Sequence, residues 1–443
     1  MRIVIAGAGE VGTHLAKMLS NEEQDIIVLD KDVKKLHNLD NYNLMTVVGS
    51  AVSLDVLKSI KVGVADIFIA VTPHETINVI ASSMAKSLGC RKAVARIDNY
   101  EFMKPASRKF FSSYGIDVII YPEYLAALEI MTAIEHTWVR NWFEMLNGEL
   151  IVVGVKIREN ARITGHKLRD LGGISNFMHV NAIKRNREII IPGGDDDILS
   201  NDILYITTTP SGVDTVMSVC GKDKHKVERV LINGSNEIVK QLVRLISGKY
   251  KVKIMDSDYS RCQELADEFP ECNVVHYEAG NNDVLEEEGV EDYDVFAAMG
   301  DSSESNILSC IMAKELGMKK TIAQVENLQF INEAENFNIG TIINKKLIAS
   351  STIFQMMIDA DTENSKSLAL ADAEVAELEV GAGAKVTKSK VKDLRLSSDM
   401  TIAGLVRNGE GLLVTGDTQL QAGDRVVVFC LAGAIHKIEK MFG

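Results

Sequence analysis

The sequence predicts an α/β protein: two tandem doubly wound parallel-sheet domains, each followed by a small mostly β (α+β) module. Three observations predict it. Short apolar runs alternate with helical patterns from residue 3 onward, a glycine-rich turn closes the first of those runs, and the second half of the chain repeats the order of the first. A length of 443 residues suits several cores rather than one.

The first run, Ile3 to Ala6, leads into Gly7-Ala8-Gly9-Glu10-Val11-Gly12 and then a helical pattern through Leu19. The next run, Ile26 to Leu29, ends at Asp30. Strand, glycine turn, helix, strand and acidic terminus together are the context that gives a glycine fingerprint its meaning. Gly7 permits the tight turn, Gly9 removes a side chain from the path of a diphosphate, and Gly12 lets helix and sheet pack closely. Amides at the start of the helix hold phosphate oxygens, and Asp30 accepts from ribose hydroxyls. A carboxylate there repels a 2′-phosphate, so NAD or NADH ranks above NADP, and ATP or ADP satisfies the same two features. The domain is therefore expected to be Rossmann-like.

The alternation continues. Thr46-Val47-Val48 precedes Gly49-Ser50, Leu54-Leu57-Ile60 marks a short helix, and Ile67 to Val71 is a buried strand. A helix follows over Asn78 to Leu88, then a strand at Ala93 to Ala95 ending on Arg96, a strand over Ile116 to Tyr121, and a helix over Glu123 to Ile134 led by Pro122. Thr72 and Asn78 suit either helix capping or ligand contact, and Arg96 either a phosphate contact or a structural ion pair.

Residues 229–239 fall on residues 2–12 at an offset of 227, Asp256 answers Asp30, and Gly280-Asn281 answers Gly49-Ser50. Asp294 to Ala298 and Asn306 match Asp66 to Ala70 and Asn78 at an offset of 228. The copies are unequal. Gly9 becomes Asn236, Gly12 becomes Val239 and Arg96 becomes Gln324. Dinucleotide binding is expected in the first copy, and a weak or empty crevice in the second, where Asp256 alone preserves a ribose contact. The smaller regions repeat too: Leu150 to Val155, His179 to Asn186 and Leu204 to Ile206 correspond to Val375 to Val380, Ile402 to Asn408 and Val426 to Phe429. The expected partition is 1–135, 136–220, 226–358 and 365–443. Apolar helices around Leu125 to Ile134 and Ile342 to Met357 suit either plain core or exchange with another subunit.

Composition narrows the function. The formal charge is −14, with residues 1–225 summing to −2 and residues 226–443 to −12. That field opposes general nucleic-acid binding. The six cysteines form no CxxC, which suits a reducing compartment and no zinc knuckle. No apolar run approaches the roughly 20 residues that span a bilayer, so a cytoplasmic chain is expected. No catalytic residue stands out: His74, His136 and His179 are the candidates by location, and none has a nucleophile or carboxylate cluster beside it in sequence. Asp195-Asp196-Asp197 lacks the alternating donors of a calcium loop and reads as a solvated turn, so no metal site is expected.

The glycine turn, Asp30, Thr72 through Asn78, Arg96 and the trailing β module resemble the potassium-conductance-regulating domains of bacteria and archaea. Two tandem copies are similar to the cytoplasmic regulatory subunits of Trk-type potassium uptake systems, over essentially the whole chain. The resemblance implies a nucleotide-controlled gating assembly, not an enzyme. Its nucleotide units form a ring, a tetramer built from dimers, on the inner face of the membrane under a Trk-type potassium transporter subunit. It further implies that Gly7, Ala8, Gly9, Glu10, Val11 and Gly12 line the phosphates, that Asp30 holds ribose, and that Ser50, Thr72 and Arg96 lie at the ligand. The alternatives are an NAD-dependent oxidoreductase and a nucleotide sensor serving a different membrane transporter.

Overall fold

The computed structural model describes the chain except residues 21–23, 187, 279–282, 338, 362–366, 371–372, 395, 432–440 and 443. Gly280-Asn281 and the side chain of Met357 lie outside the described residues. The chain divides into two units, residues 1–126 with 344–361, and residues 127–343 with 362–443.

In the first unit, β1 (Arg2–Ala6), β2 (Asp25–Asp30), β3 (Met45–Val48), β4 (Ile67–Ala70), β5 (Lys92–Arg96) and β6 (Val118–Ile120) form one sheet. Its order is β3-β2-β1-β4-β5-β6, and every pairing is parallel. Successive residues of a strand face opposite sides of a sheet, so a sheet covered on both faces needs continuous apolar strands. Ile3 and Ile5 of β1 join one core with Val28, Leu15 and Leu19. Val4 and Ala6 join the other with Ile27, Leu29, Leu57 and Phe68. Burying one such side chain contributes about 1.5–3 kcal/mol.

The helix Lys345–Asp361, contiguous in sequence with the second nucleotide domain, packs in this first unit. Ala349, Ile353 and Phe354 share a core with Leu15, Ala16 and Leu19 of the helix Glu10–Ser20. Ser350 Oγ donates to Val11 O at 3.4 Å, and Lys92 Nζ donates to Met356 O at 3.0 Å. The apolar helix thus packs on the first nucleotide domain of its own chain.

The second unit opens with β7 (Asn141–Met145), β8 (Leu150–Lys156), β9 (His179–Arg185), β10 (Glu188–Ile190) and β11 (Ile203–Thr208). They form an antiparallel sheet, β10-β9-β11-β8-β7. A second parallel sheet follows from β12 (Arg229–Asn233), β13 (Lys251–Asp256), β14 (Asn273–His276), β15 (Val295–Ala298), β16 (Lys320–Gln324) and β17 (Thr341–Ile343). Its order, β14-β13-β12-β15-β16-β17, repeats that of the first. The last sheet contains β18 (Ser367–Leu370), β19 (Ala373–Glu379), β20 (Met400–Arg407), β21 (Glu410–Leu413) and β22 (Arg425–Leu431) in the order β18-β19-β22-β20-β21. The fold is therefore two Rossmann-like parallel sheets, each followed by a small antiparallel β module.

The two β modules share a core in which Leu150, Val152 and Tyr205 meet Val375, Val427 and Phe429. Polar groups fix the pairing. The buried Glu377 carboxylate accepts from Leu146 N at 2.6 Å and pairs with Arg425 at 3.1 Å. His179 lies 3.1 Å from Val414 O through Nδ1 and 3.0 Å from Thr401 Oγ1 through Nε2. Burial lowers the basicity of this imidazole, and its role is structural. No helix among the described residues is long and apolar enough to cross a membrane.

Candidate functional site

The site lies at the carboxyl ends of β1 and β4, where the strand order reverses and an open α/β sheet leaves a crevice. Gly7 takes φ +113°, and a Cβ there would meet Thr72 N at 2.9 Å. A Cβ on Gly12 would overlap the Gly7 carbonyl oxygen and stand 3.2 Å from Val71 Cγ2, so its bareness serves helix-to-strand packing. A Cβ on Gly9 would meet nothing within 4 Å. The protein's own packing makes no demand for glycine there, and the space above it is open to a ligand.

Asp30 braces the turn. Its Oδ2 accepts from Ala8 N at 2.6 Å and its Oδ1 from Asp32 N at 2.9 Å. Each carboxylate oxygen has a second lone pair, which leaves acceptor capacity for a ribose hydroxyl. Glu10 opens the helix with its side chain exposed, while Val11 is buried in the core. Ser50 follows β3 and its Oγ accepts from Val52 N at 3.4 Å.

Asn78 is neither the helix cap nor exposed to ligand. It is 1% exposed, and the helix Glu75–Ser87 is capped at His74 without a side-chain bond. Asn78 Oδ1 accepts from Thr72 N at 2.9 Å and Thr72 Oγ1 at 2.7 Å, while Nδ2 donates to Thr72 O and to Arg96 O at 3.0 Å. One amide thereby ties the ends of β4 and β5 and sets Thr72 and Arg96 on one rim. Arg96 Nη2 stands 3.9 Å from Glu123 Oε1, which Lys345 approaches at 3.2 Å. Glu123 Oε2 is buried without a hydrogen-bond partner. Beside Arg96, burial and then the neighbouring Asp98 carboxyl raise the Glu75 carboxyl above its ordinary range.

Lys346 was not foreseen from sequence. Its ammonium, from the helix Lys345–Asp361, pairs with Glu10 at 2.8 Å and so stands at the glycine turn. The two lysines at 345 and 346 signal nothing by spacing; only the packing of that helix brings them here.

The equivalent crevice of the second sheet is filled by the chain itself. Asn236, in the place of Gly9, donates to Met299 O at 2.8 Å and Gln324 Oε1 at 2.9 Å, and its Oδ1 caps the helix at Val239 N. Gln324 stands where the first copy has Arg96. Asp256 accepts from Ser235 Oγ at 2.5 Å and Asp258 N at 2.8 Å. Asn306 repeats the Asn78 tie, donating to Gly300 O and Gln324 O.

The candidate histidines take other places. His74 precedes a helix, and His136 stacks on Trp142 with ring centroids 3.7 Å apart. Asp195 pairs with Arg169 and Lys167, and Asp196 accepts from Gly193 N at 2.7 Å. Among the described residues no three His, Cys, Asp or Glu side chains converge as a metal site.

Comparison with known proteins agrees with this duplicated plan. The TrkA-N domain model matches residues 3–122 and 230–345, and the TrkA-C domain model matches residues 152–221 and 375–443. The chain belongs to the TrkA family. It is 30% identical to the Trk system potassium uptake protein TrkA of Halomonas elongata, covering 100% of this chain and 98% of that protein. It is 26% identical to the TrkA homolog 2 of Methanosarcina mazei over the full length of both. Among solved structures, a GsuK channel bound to NAD superposes with a TM-score of 0.59 at 14% identity, covering 100% of this chain and 78% of that one, a likeness of fold. The TrkA family assignment thus spans both crevices, including the one that Asn236 fills.

Proposed function

We propose that this TrkA-family chain is a nucleotide-responsive regulatory subunit of a potassium uptake transporter. Its first crevice holds NAD or NADH, or ATP or ADP in the same place, and its partner is a Trk-type membrane transporter subunit. The relatives named above are potassium uptake proteins along their whole length, and GsuK is a channel whose structure holds NAD. The observation that carries the reading is the open space over Gly9 set against the filled space at Asn236. In this reading Gly7, Ala8, Gly9, Glu10, Val11 and Gly12 surround the diphosphate. Asp30 takes the ribose, Ser50 and Thr72 stand beside the ligand, and Arg96 faces a phosphate or the adenine edge. Lys346 adds a cation that the second half supplies. Regulation follows if the ligand favours one arrangement of a self-associated ring, a tetramer built from dimers and docked on the inner membrane face, over another. The nucleotide is bound and released unchanged.

The test is potassium flux through the reconstituted partner with and without NADH, together with NADH binding to the purified chain. Flux that responds to NADH, with NADH recovered intact, supports the reading. Steady oxidation of NADH with a small substrate, or flux indifferent to every adenine nucleotide, overturns it.

A further inference from the structure

We propose that the second unit carries a binding site for a small molecule bearing two or more phosphate groups, in a cavity between the first β module and the amino edge of the second parallel sheet. The cavity has a volume of about 870 Å³ and is lined by eight lysine and arginine side chains against three carboxylates. Four of the eight come from residues 226–443, which sum to −12, and of these Lys226 is paired with Glu228 at 2.7 Å. One of those carboxylates, Asp294, is already engaged by the backbone N–H groups of Glu228 and Arg229 at 2.7 and 2.9 Å.

The cations arrive from separate elements. Arg140 precedes β7, Arg158 follows β8, Lys222 follows the helix Val213–Val219, and Lys314, Lys319 and Lys320 surround the start of β16. Lys320 is buried, donating to Val139 O at 2.8 Å and Thr341 Oγ1 at 2.9 Å. Lys314 donates to Lys319 O. These bonds aim the ammonium groups but bring no negative charge. Burial first, and then like charges including Arg140, depress the basicity of Lys222 and Lys314 to about 8 and of Lys320 to about 7. A polyanion placed among them converts that repulsion into attraction.

The geometry selects the class of ligand. The cations converge inside a concavity, whereas a membrane surface or a nucleic-acid duplex needs an outward, extended face. The volume matches a nucleotide-sized molecule, and Trp138 and Tyr293 on the lining offer aromatic faces for a base. The site is at the amino ends of β12, β15, β16 and β17, opposite the carboxyl edge where the Asn236 crevice lies. It stands independently of the function proposed for the first domain.

The test uses the full chain, saturated with NAD, and inorganic tripolyphosphate as probe in equilibrium dialysis at low ionic strength. We expect one tripolyphosphate per chain, weakened by added salt. The double substitution Lys222→Ala/Lys314→Ala should weaken it at least about tenfold, and the exposed Arg158→Ala, which carries little folding risk, about threefold. NADH affinity should be unchanged in both. Absence of binding, equal affinity in all three proteins, or preference for a polyglutamate peptide or phosphatidylserine vesicles would each overturn the proposal.

Discussion

Two glycines of one motif have opposite reasons for being glycine, and substitution separates them. Gly12 is required by the fold, because its Cβ would strike the Gly7 carbonyl. Gly12→Ala should therefore destabilise the first unit by about 3 kcal/mol, read in urea unfolding. Gly9 faces open space. Gly9→Asp should leave the thermal midpoint within about 2 °C, yet lower NADH affinity at least about tenfold, because it sets a carboxylate against the diphosphate. Loss of stability without loss of affinity in Gly9→Asp would contradict the placement. Lys320 gives a pH signature. Burial, with Lys314 and Arg140 as like-charged neighbours, lowers its folded value to about 7, while the unfolded chain has an ordinary lysine at about 10.4. Between those values the unfolded state binds the extra proton, so stability rises with pH, and below 7 the contribution is flat. Compared with Lys320→Met, the wild type should gain about 1.4 kcal/mol per pH unit between pH 7.5 and 9. Parallel stability curves for the two proteins would refute it.

At the scale of elements, the two β modules repeat a clamp as well as a sheet order. Arg185 grips Asp202 through Nε at 2.9 Å and Nη2 at 2.7 Å, and Arg407 grips Asp424 at 2.8 and 2.6 Å. Both carboxylates are 2% exposed, and each also accepts from a turn N–H, that of Leu199 or Gln421. Neutralising the buried carboxylate breaks its bidentate bond to a guanidinium that solvent still reaches, so Asp202→Asn or Asp424→Asn should each cost about 2 kcal/mol in chemical denaturation. A double variant should be additive, since the clamps share no partner. These residues stood at matching places in the sequence, but their pairing was not legible there, because a bidentate contact across 17 residues depends on how the strands fold back. The buried strands were legible from continuous apolar runs and the glycine turn from its spacing. The helices Val33–His37 and Pro105–Ser113 were not. The first is five residues long and the second buries Phe111 alone, so neither shows an apolar stripe. The rim set by Asn78 was half-read: its position was noticed, but a side chain that ties two strand ends leaves no periodic trace.

For the whole molecule, duplication followed by divergence has left one crevice bare and filled the other with its own side chains. Asn236 replaces a ligand's acceptors with Met299 O and Gln324 Oε1, and Gln324 replaces the cation of the first copy. The substitutions support one another, because each amide satisfies a group that the other's absence would leave unpaired. The sequence exposed the lost glycines, whereas the mutual bond that turns two losses into a plug required the fold. One NADH per chain is therefore expected, not two, by isothermal titration. Asn236→Gly costs only a few tenths of a kcal/mol as a helix cap and about 1 kcal/mol in lost bonds, so the chain should tolerate it. Combined with Gln324→Arg, it restores a bare turn and a cation at the end of β16, with Asp256 still in place. That double variant should raise the stoichiometry toward about two per chain, with the new site the weaker because Ser235 Oγ already donates to Asp256 there. If the unaltered chain already binds two NADH molecules with equal affinity, the Asn236–Gln324 bond yields to ligand and the second crevice is a working site.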